Sequence, residues 1–202
     1  MGEGMPISKS VLEAQTPKIV NGWNLVETET ALAFPALIKN LAVNHDKILW
    51  IDSSNQAKTH FFESRPELLE KIYIARAFTA LQHHQLCKNI EEYDLIVVPE
   101  IDKLYEESSL YSNEKDRLFK SMLEELTGKI LYSISTEIGF SAVDRADNTI
   151  KVEQTDQGLK FSQKDRKTRI YADNTGVQTT VPLYEEVKEE RWEEPIKPIE
   201  TG

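Results

Sequence analysis

The sequence predicts an α/β protein with a mostly parallel sheet, because strand-like apolar runs alternate with helix-like amphipathic runs through most of the chain. Residues 48–52 (ILWID) and 95–98 (LIVV) are apolar nearly throughout, as expected for strands that helices cover on both faces. From residue 149 the apolar period changes to about two, which predicts an antiparallel meander. We therefore expect a parallel sheet that carries antiparallel strands at its C-terminal edge.

Each predicted element rests on its own local pattern. The predicted strands are residues 23–27, 48–52, 72–76, 95–98, 129–135, 149–154, 159–163 and 169–172, and the predicted helices are residues 36–43, 66–71, 79–90 and 113–127. Thr79 and Gln82 have the spacing of a capping box, which marks the start of a helix. The residues expected on central strands, buried by helices on both faces, are Trp50, Ile51, Ile74, Ile96 and Val97.

The chain divides into three parts by composition. Residues 1–22 are polar and interrupted by two prolines, so they predict an N-terminal arm. Residues 23–183 contain all the periodic runs and predict one domain with a sizeable core. Residues 184–202 carry seven Glu and two Pro, which is typical of an acidic C-terminal tail that is disordered when alone.

The charge and the cysteine content limit the classes of function. With 34 acidic and 24 basic residues, the chain has a net charge of −10, which disfavours non-specific binding to nucleic acid or anionic membranes. The single cysteine, Cys87, excludes an intrachain disulfide and favours a reducing cytoplasm. We find no signal-peptide pattern and no apolar run long enough to span a bilayer. The sequence therefore predicts a soluble cytoplasmic protein.

The turn after the first predicted strand has the length of a phosphate-binding loop but lacks its chemistry. In the pattern G-x-x-x-x-G-K-[ST], the glycines let backbone N–H groups surround phosphates, and the lysine reaches the terminal phosphates. Residues 28–35 (TETALAFP) fit this pattern in length without retaining any Gly or Lys. The four signature positions are occupied by Thr28, Ala33, Phe34 and Pro35. We expect Phe34 to pack in the core, where it fills space that a phosphate would need.

Four segments in the same order resemble the RecA/RadA superfamily of strand-exchange ATPases, and most closely archaeal RadA and its paralogues. Residues 72–85 (IYIARAFTALQHHQ) are the most specific match, since they resemble a strand ending in Ala-Arg-Ala-Phe that leads into a helix with a His-Gln pair. Residues 48–55 resemble the strand after the P-loop helix, residues 93–105 the Walker B strand, and residues 145–177 the C-terminal meander. The resemblance covers about residues 23–180 and implies a RecA-like core.

The sequence departs from the family at the positions that handle nucleotide. The resemblance implies an Asp at the end of the Walker B strand, where Pro99 stands, with Glu100 and Asp102 nearby. We interpret these two acids as solvated turn residues; the alternative is that Glu100 survives as a metal ligand. The family's Phe-x-x-Ala polymerisation motif is absent, and residues 136–147, at the second DNA-binding loop, contain one basic residue. These departures predict loss of ATP turnover and of independent filament formation.

Three other groups of residues could form sites. His83, His84 and Cys87 lie on one predicted helix and could suggest a metal cluster or a Cys–His nucleophile. We interpret them as ordinary helix residues, because no further ligand or orienting group is evident.

The other two groups lie near the C-terminus. The dense basic group at a hairpin tip comprises Lys164, Arg166, Lys167 and Arg169; it is a candidate contact for DNA or for an acidic partner, although charged hairpin tips are usually just solvated. Trp192, in the acidic tail, is a candidate anchor for a partner.

The resemblance and the lost motifs together predict a nonenzymatic RecA-fold accessory protein of recombinational DNA repair. It would need no cofactor and no metal, and would bind a RadA-type recombinase or another RecA-fold subunit. Two alternatives remain open: a nucleic-acid-binding module that uses the basic hairpin, and a RecA-fold protein that binds nucleotide weakly through Glu100 or Asp102. Homo-oligomerisation is compatible with each of them.

Overall fold

The computed structural model of the protein describes residues 17–63, 65–90, 92–156, 158–163, 166–172 and 178–181, the last two ranges by their backbone alone. These residues form one sheet whose strands lie in the order β3-β2-β4-β5-β1-β6-β7-β8-β9. The pairings from β3 through to β6 are parallel, and those from β6 to β9 are antiparallel. The strands are β1 (Gly22–Thr28), β2 (Ile48–Asp52), β3 (Ile72–Arg76), β4 (Leu95–Val98), β5 (Lys129–Tyr132), β6 (Ala146–Thr155), β7 (Gly158–Gln163), β8 (Arg166–Ala172) and β9 (Gln178–Val181).

Helices lie on both faces of the parallel part of the sheet. The α-helices are α1 (Ala33–Leu41), α2 (Ala80–Lys88), α3 (Lys103–Glu106), α4 (Ser112–Glu125) and α5 (Phe140–Val143), and the 3-10 helices are Thr59–Phe62, Pro66–Lys71 and Glu137–Gly139. The predicted fold class is thereby confirmed: a mixed α/β protein, consistent with a RecA-like core, with a mostly parallel sheet and an antiparallel meander at the C-terminal edge.

Two apolar cores lie on opposite faces of the sheet. Trp50 and Val97 belong to the core beneath α1, whereas Ile51 and Ile96 belong to the core beneath α2 and α4. Each of these four side chains is at most 3% exposed, so their predicted burial is confirmed. The prediction is wrong for Ile74, which is 37% exposed, because β3 is the last strand of the described sheet and, among the described residues, pairs with β2 alone.

Most element boundaries follow the sequence pattern, with instructive differences. β3 and β4 coincide with their predicted ranges. The predicted Thr79 cap is present, since Thr79 Oγ1 accepts a hydrogen bond from the Gln82 N–H at 3.2 Å, but the Gln82 side chain accepts the N–H of Phe78 rather than that of Thr79, so the reciprocal half of the capping box is displaced by one residue. Helix α1 begins at Ala33 rather than at residue 36, because a proline is tolerated in the first turn of a helix. Strand β9 and the short helices α3 and α5 were not predicted.

The described part of the predicted N-terminal arm, residues 17–21, is attached to the domain through side-chain amides. The Gln163 side chain accepts the Lys18 N–H at 2.8 Å and donates to the Lys18 carbonyl at 2.7 Å. Asn24, which is fully buried, accepts the Val20 N–H at 2.9 Å. This segment therefore crosses β1, β6 and β7. Residues 1–16 and the predicted acidic tail lie outside the described residues.

Candidate functional site

The turn between β1 and α1 takes the path that a phosphate-binding loop would need. β1 ends at Thr28, and α1 begins at Ala33, so a strand, a short turn and a helix follow one another as the sequence overlay requires. The turn opens at the carboxyl end of a central parallel strand. This edge of an α/β sheet is where ligands commonly bind, so the groups exposed there decide whether a nucleotide can be held.

The backbone N–H groups of this turn are hydrogen-bonded within the turn itself. Thr28 Oγ1 accepts the Thr30 N–H at 3.1 Å, and Thr30 Oγ1 accepts the Leu32 N–H at 3.3 Å. The Thr30 carbonyl accepts the Ala33 N–H at 3.2 Å. A phosphate-binding loop must leave such N–H groups free to point at the phosphate oxygens. Here three of them already have acceptors.

The side chains that follow the turn point into the core rather than towards a ligand. Phe34 is 1% exposed and Ala33 is fully buried, and both belong to the core beneath α1. The predicted core position of Phe34 is therefore confirmed. Pro35 is buried as well, and it has neither a backbone N–H nor a hydroxyl that could hold a magnesium ion. Glu29, within the turn, is exposed and acidic.

The acids after β4 are engaged in structural contacts. The interpretation of Asp102 as a solvated turn residue is wrong, because its side chain is fully buried. Its carboxylate accepts the N–H groups of Ser135 and Thr136, at 2.9 and 2.6 Å, and both of their hydroxyls. A Cβ at position 139, now glycine, would lie 2.6 Å from Asp102 Oδ2. Asp102 therefore fixes the loop that follows β5.

Glu100 is only partly exposed and is paired with a neighbour. Its backbone has φ +48°, in the left-handed region that few non-glycine residues adopt, and its N–H donates to Ser133 Oγ at 2.9 Å. Its carboxylate accepts from Lys103 Nζ at 3.0 Å, and this hydrogen bond raises the pKa of Lys103. The position that the resemblance assigns to the magnesium shell is thus occupied by a buried proline and an ion pair.

The helix residues His83, His84 and Cys87 do not converge on a site. Burial lowers the pKa of His83 to about 4 and raises the pKa of Cys87 to about 12, so both are neutral at pH 7. His83 Nδ1 lies 3.0 Å from the Tyr105 hydroxyl, and His84 Nε2 lies 3.1 Å from Ser121 Oγ. Within the described ranges, no group of three or more His, Cys, Asp or Glu side chains could hold a metal.

The candidate nucleic-acid contacts are only partly described. Lys164 and Trp192 lie outside the described residues. Arg166, Lys167 and Arg169 lie in β8, where the register places Lys167 opposite Ser162 and Arg169 opposite Lys160.

The loop after β5 carries one basic residue, and that residue is already engaged. The Arg145 guanidinium donates to the Leu123 carbonyl at 3.2 Å and lies 5.8 Å from the centre of the Trp23 ring.

Several apolar side chains are exposed at the β3 end of the sheet, and the sequence contained little to predict this. Tyr73 and Ile74 on β3 are 47% and 37% exposed, and Phe78 and Leu81, at the start of α2, are 75% and 62% exposed. We call these four residues, which surround the outer edge of β3 with Tyr73 and Ile74 on opposite faces of the sheet, the β3 surface. The Gln82 side chain accepts the Phe78 N–H at 3.0 Å, so the capping box that starts α2 also fixes the backbone that presents Phe78. A conspicuous Phe beside a cap was the only signal in the sequence.

Comparison with known proteins adds no identification, since neither a protein-family model nor a curated protein matches this chain. In the described part of the chain, no helix is long and apolar enough to cross a membrane.

Proposed function

We propose that this protein is a nonenzymatic RecA-fold accessory of recombinational DNA repair that acts in the cytoplasm by binding a RadA-type recombinase or another RecA-fold subunit. The observation that carries the proposal is the closed turn between β1 and α1. Its N–H groups at Thr30, Leu32 and Ala33 are bonded internally, and Phe34 fills the space beyond it. The sheet around this turn, mostly parallel with an antiparallel edge, is consistent with a RecA-like core.

A RecA-fold subunit without a nucleotide site retains surfaces for a neighbour. The β3 surface supports such a role, because an unpaired strand edge offers N–H and C=O groups to an added strand while exposed apolar side chains provide pockets or anchors. We therefore assign the recombinase contact to the β3 surface, where an extended segment of the partner would add to the sheet beside β3.

Two measurements test this function. Isothermal titration with Mg-ATP should show no specific heat at millimolar nucleotide, and a one-site isotherm would contradict the loss of the nucleotide site. An immobilised archaeal RadA-type recombinase should capture the full chain. Capture should fall at least about tenfold for Ile74→Lys, which places a charge in the contact. Phe140→Lys is the matched control, because Phe140 is 62% exposed on α5, apart from β3.

A nucleic-acid-binding module is the second candidate. The register that places Arg169 opposite Lys160 and Lys167 opposite Ser162 supports it, since a basic strand pair can follow a phosphate backbone. Failure of capture, together with tight binding of single-stranded DNA that weakens steeply with salt, would replace the first function by this one.

A further inference from the structure

Within the described residues, the outer edge of β3 lacks the features by which proteins usually protect a strand edge. Its five residues, Ile72–Arg76, contain no proline, and the only charge is Arg76 at its end. The register with β2 runs through all five residues without a bulge. A flat, apolar and unpaired edge is a template for pairing with another strand. Of the two edge strands of the described sheet, β3 and β9, β3 (IYIAR) is more apolar than β9 (QTTV), and every copy of the chain offers it to the others.

The sequence of β3 is compatible with antiparallel pairing to a second copy of itself. A two-fold axis at Ile74 places this residue opposite its own copy, Tyr73 opposite Ala75, and Ile72 opposite Arg76. Residues opposite one another share a face of the sheet, so Ile74 would meet Ile74 and the Tyr73 ring would cover Ala75. No two like charges stand directly opposite.

The segments before and after β3 also carry exposed apolar side chains that would meet across the two-fold axis. Phe78 and Leu81 follow the strand and are 75% and 62% exposed. Leu69, on the 3-10 helix that precedes the strand, is 36% exposed. Because antiparallel pairing brings the end of one strand to the start of the other, Phe78 and Leu81 of one copy would lie near Leu69 of the second. The two-fold axis produces this apolar contact twice.

We propose that two copies of this chain pair through antiparallel β3 strands, and that the dimer covers the β3 surface until a partner displaces one copy. The pairing itself does not depend on the proposed function; the competition with a RecA-fold partner does. The contact is small, so the dimer should be weak and concentration-dependent.

The net charge predicts how salt affects the dimer. Each copy carries a charge of −10, so the two copies repel one another at long range. Salt screens this repulsion over a Debye length of about 10 Å at 0.1 M, while the apolar contact persists. Self-association should therefore strengthen between 20 mM and 300 mM NaCl (about 20 Å and about 6 Å of screening length). Ion pairing between copies would give the opposite dependence.

Sedimentation equilibrium on the full chain tests the dimer. The wild-type protein should pass from monomer to dimer as its concentration rises, and Ile74→Lys should raise the dissociation constant at least about tenfold. Phe140→Lys introduces the same charge elsewhere and should leave the dissociation constant unchanged. A strictly monomeric wild-type protein, or equal effects of the two substitutions, would overturn the proposal.

Disulfide trapping tests the register. Ile74→Cys should form a covalent dimer with itself under mild oxidation, because opposite Cβ atoms lie about 4.5–5.5 Å apart. Tyr73→Cys and Ala75→Cys should cross-link when mixed and much less when oxidised alone. Cys87 does not interfere, since it is 1% exposed. Cross-linking of Tyr73→Cys with itself, but not of Ile74→Cys, would contradict the two-fold axis at Ile74.

The last experiment separates this inference from the proposed function. Adding a RadA-type recombinase to the wild-type dimer should reduce the dimer fraction in proportion to the complex formed. If the dimer forms and is trapped as expected but no recombinase is captured, the pairing stands and the proposed function fails. If the recombinase is captured while the dimer fraction is unchanged, the competition is refuted.

Discussion

The turn between β1 and α1 and the outer edge of β3 differ in whether their backbone polar groups have hydrogen-bond partners. In the turn, the hydroxyls of Thr28 and Thr30 accept backbone N–H groups, and Phe34 is 1% exposed. At the edge, β3 has no partner strand on its outer side within the described residues, and Tyr73 is 47% exposed. The N–H groups of the turn therefore have acceptors within the turn, whereas the outer edge of β3 is available for pairing with another strand.

This difference indicates where binding capacity remains in the molecule. A turn whose own side chains and carbonyls accept its N–H groups offers few free donors to a ligand. An unpaired strand edge, by contrast, still presents N–H and C=O groups that another strand can pair with. The turn therefore has few free donors for a phosphate, whereas the edge of β3 presents backbone groups with which another strand could pair.

The largest expected effect comes from placing the same charge in both regions. Phe34→Lys would bury an ammonium group and leave a cavity, so we expect the free energy of unfolding to fall by at least about 4 kcal/mol. Ile74→Lys should change it by less than about 1 kcal/mol, since the strand edge is open to solvent. Urea denaturation of the two variants measures the difference.

The same pair also tests whether the missing lysine alone would keep nucleotide from the turn. Phe34→Lys restores the lysine of the phosphate-loop pattern at its own position, yet we expect no heat with Mg-ATP, because the turn N–H groups keep their acceptors. Equal destabilisation by the two substitutions would mean that the turn and the edge do not differ in packing. Nucleotide binding by the Phe34→Lys variant would show that the missing lysine alone had closed the site.

A second large effect is expected at Asp102. Asp102→Ala removes the acceptor of two N–H groups and two hydroxyls, from Ser135 and Thr136. We expect a loss of about 2 kcal/mol, because the removed carboxylate is a charged acceptor of four hydrogen bonds whose donors are only partly buried. Asp116→Ala, at an exposed acid on α4, is the control and should cost less than about 0.5 kcal/mol. Similar melting temperatures for both variants would mean that the hydrogen bonds of Asp102 add little to stability, as expected of a solvated turn residue.

The sequence predicted those elements whose signals are local. β3 and β4 coincide with their predicted ranges; for β4 the reason is an apolar, β-branched run bounded by Asp94 and Pro99. The path of the turn after β1 was also predictable, since its length and its missing Gly and Lys can be counted directly. The burial of Phe34 followed from the same pattern.

The wrong predictions concern properties that depend on distant parts of the chain. Ile74 has an apolar neighbourhood in sequence, but its exposure depends on the position of β3 at the end of the sheet. Asp102 lies 33 and 34 residues from Ser135 and Thr136, its hydrogen-bond donors, so no local pattern could show its burial. The β3 surface was missed for the same reason as Ile74, since exposure at a sheet edge follows from strand order.

A smaller, pH-dependent effect is expected from the layer beneath the β3 surface. His83, on α2, is fully buried, and its Nε2 has no hydrogen-bond partner in the described part of the chain. Burial, aided by the charge of His84, lowers the pKa of His83 from 6.5 to about 4. Between these values the unfolded chain binds a proton that the folded chain excludes, so stability falls as pH falls through this window.

The expected loss between pH 7.5 and 5.5 is roughly 1 kcal/mol, measured by urea denaturation. The His83→Gln variant should lack this part of the pH dependence. His84→Gln, which changes a half-buried histidine paired with Ser121, should retain most of it. If the His83→Gln variant loses stability with falling pH as steeply as the wild type does, then His83 is protonated in the folded state as readily as in the unfolded one.

The smallest effect is expected from opening the turn between β1 and α1. The double substitution Thr28→Ala and Thr30→Ala removes the hydroxyl acceptors of the Thr30 and Leu32 N–H groups. These bonds lie at a partly exposed turn where water can replace them, so the cost should be about 1 kcal/mol or less. The Ala33 N–H keeps the backbone carbonyl of residue 30 as its acceptor, and no lysine is gained. Mg-ATP should therefore still give no specific heat of binding. Binding of nucleotide by this double variant, with no basic residue added, would mean that the threonine hydroxyls alone distinguish the closed turn from a working phosphate loop.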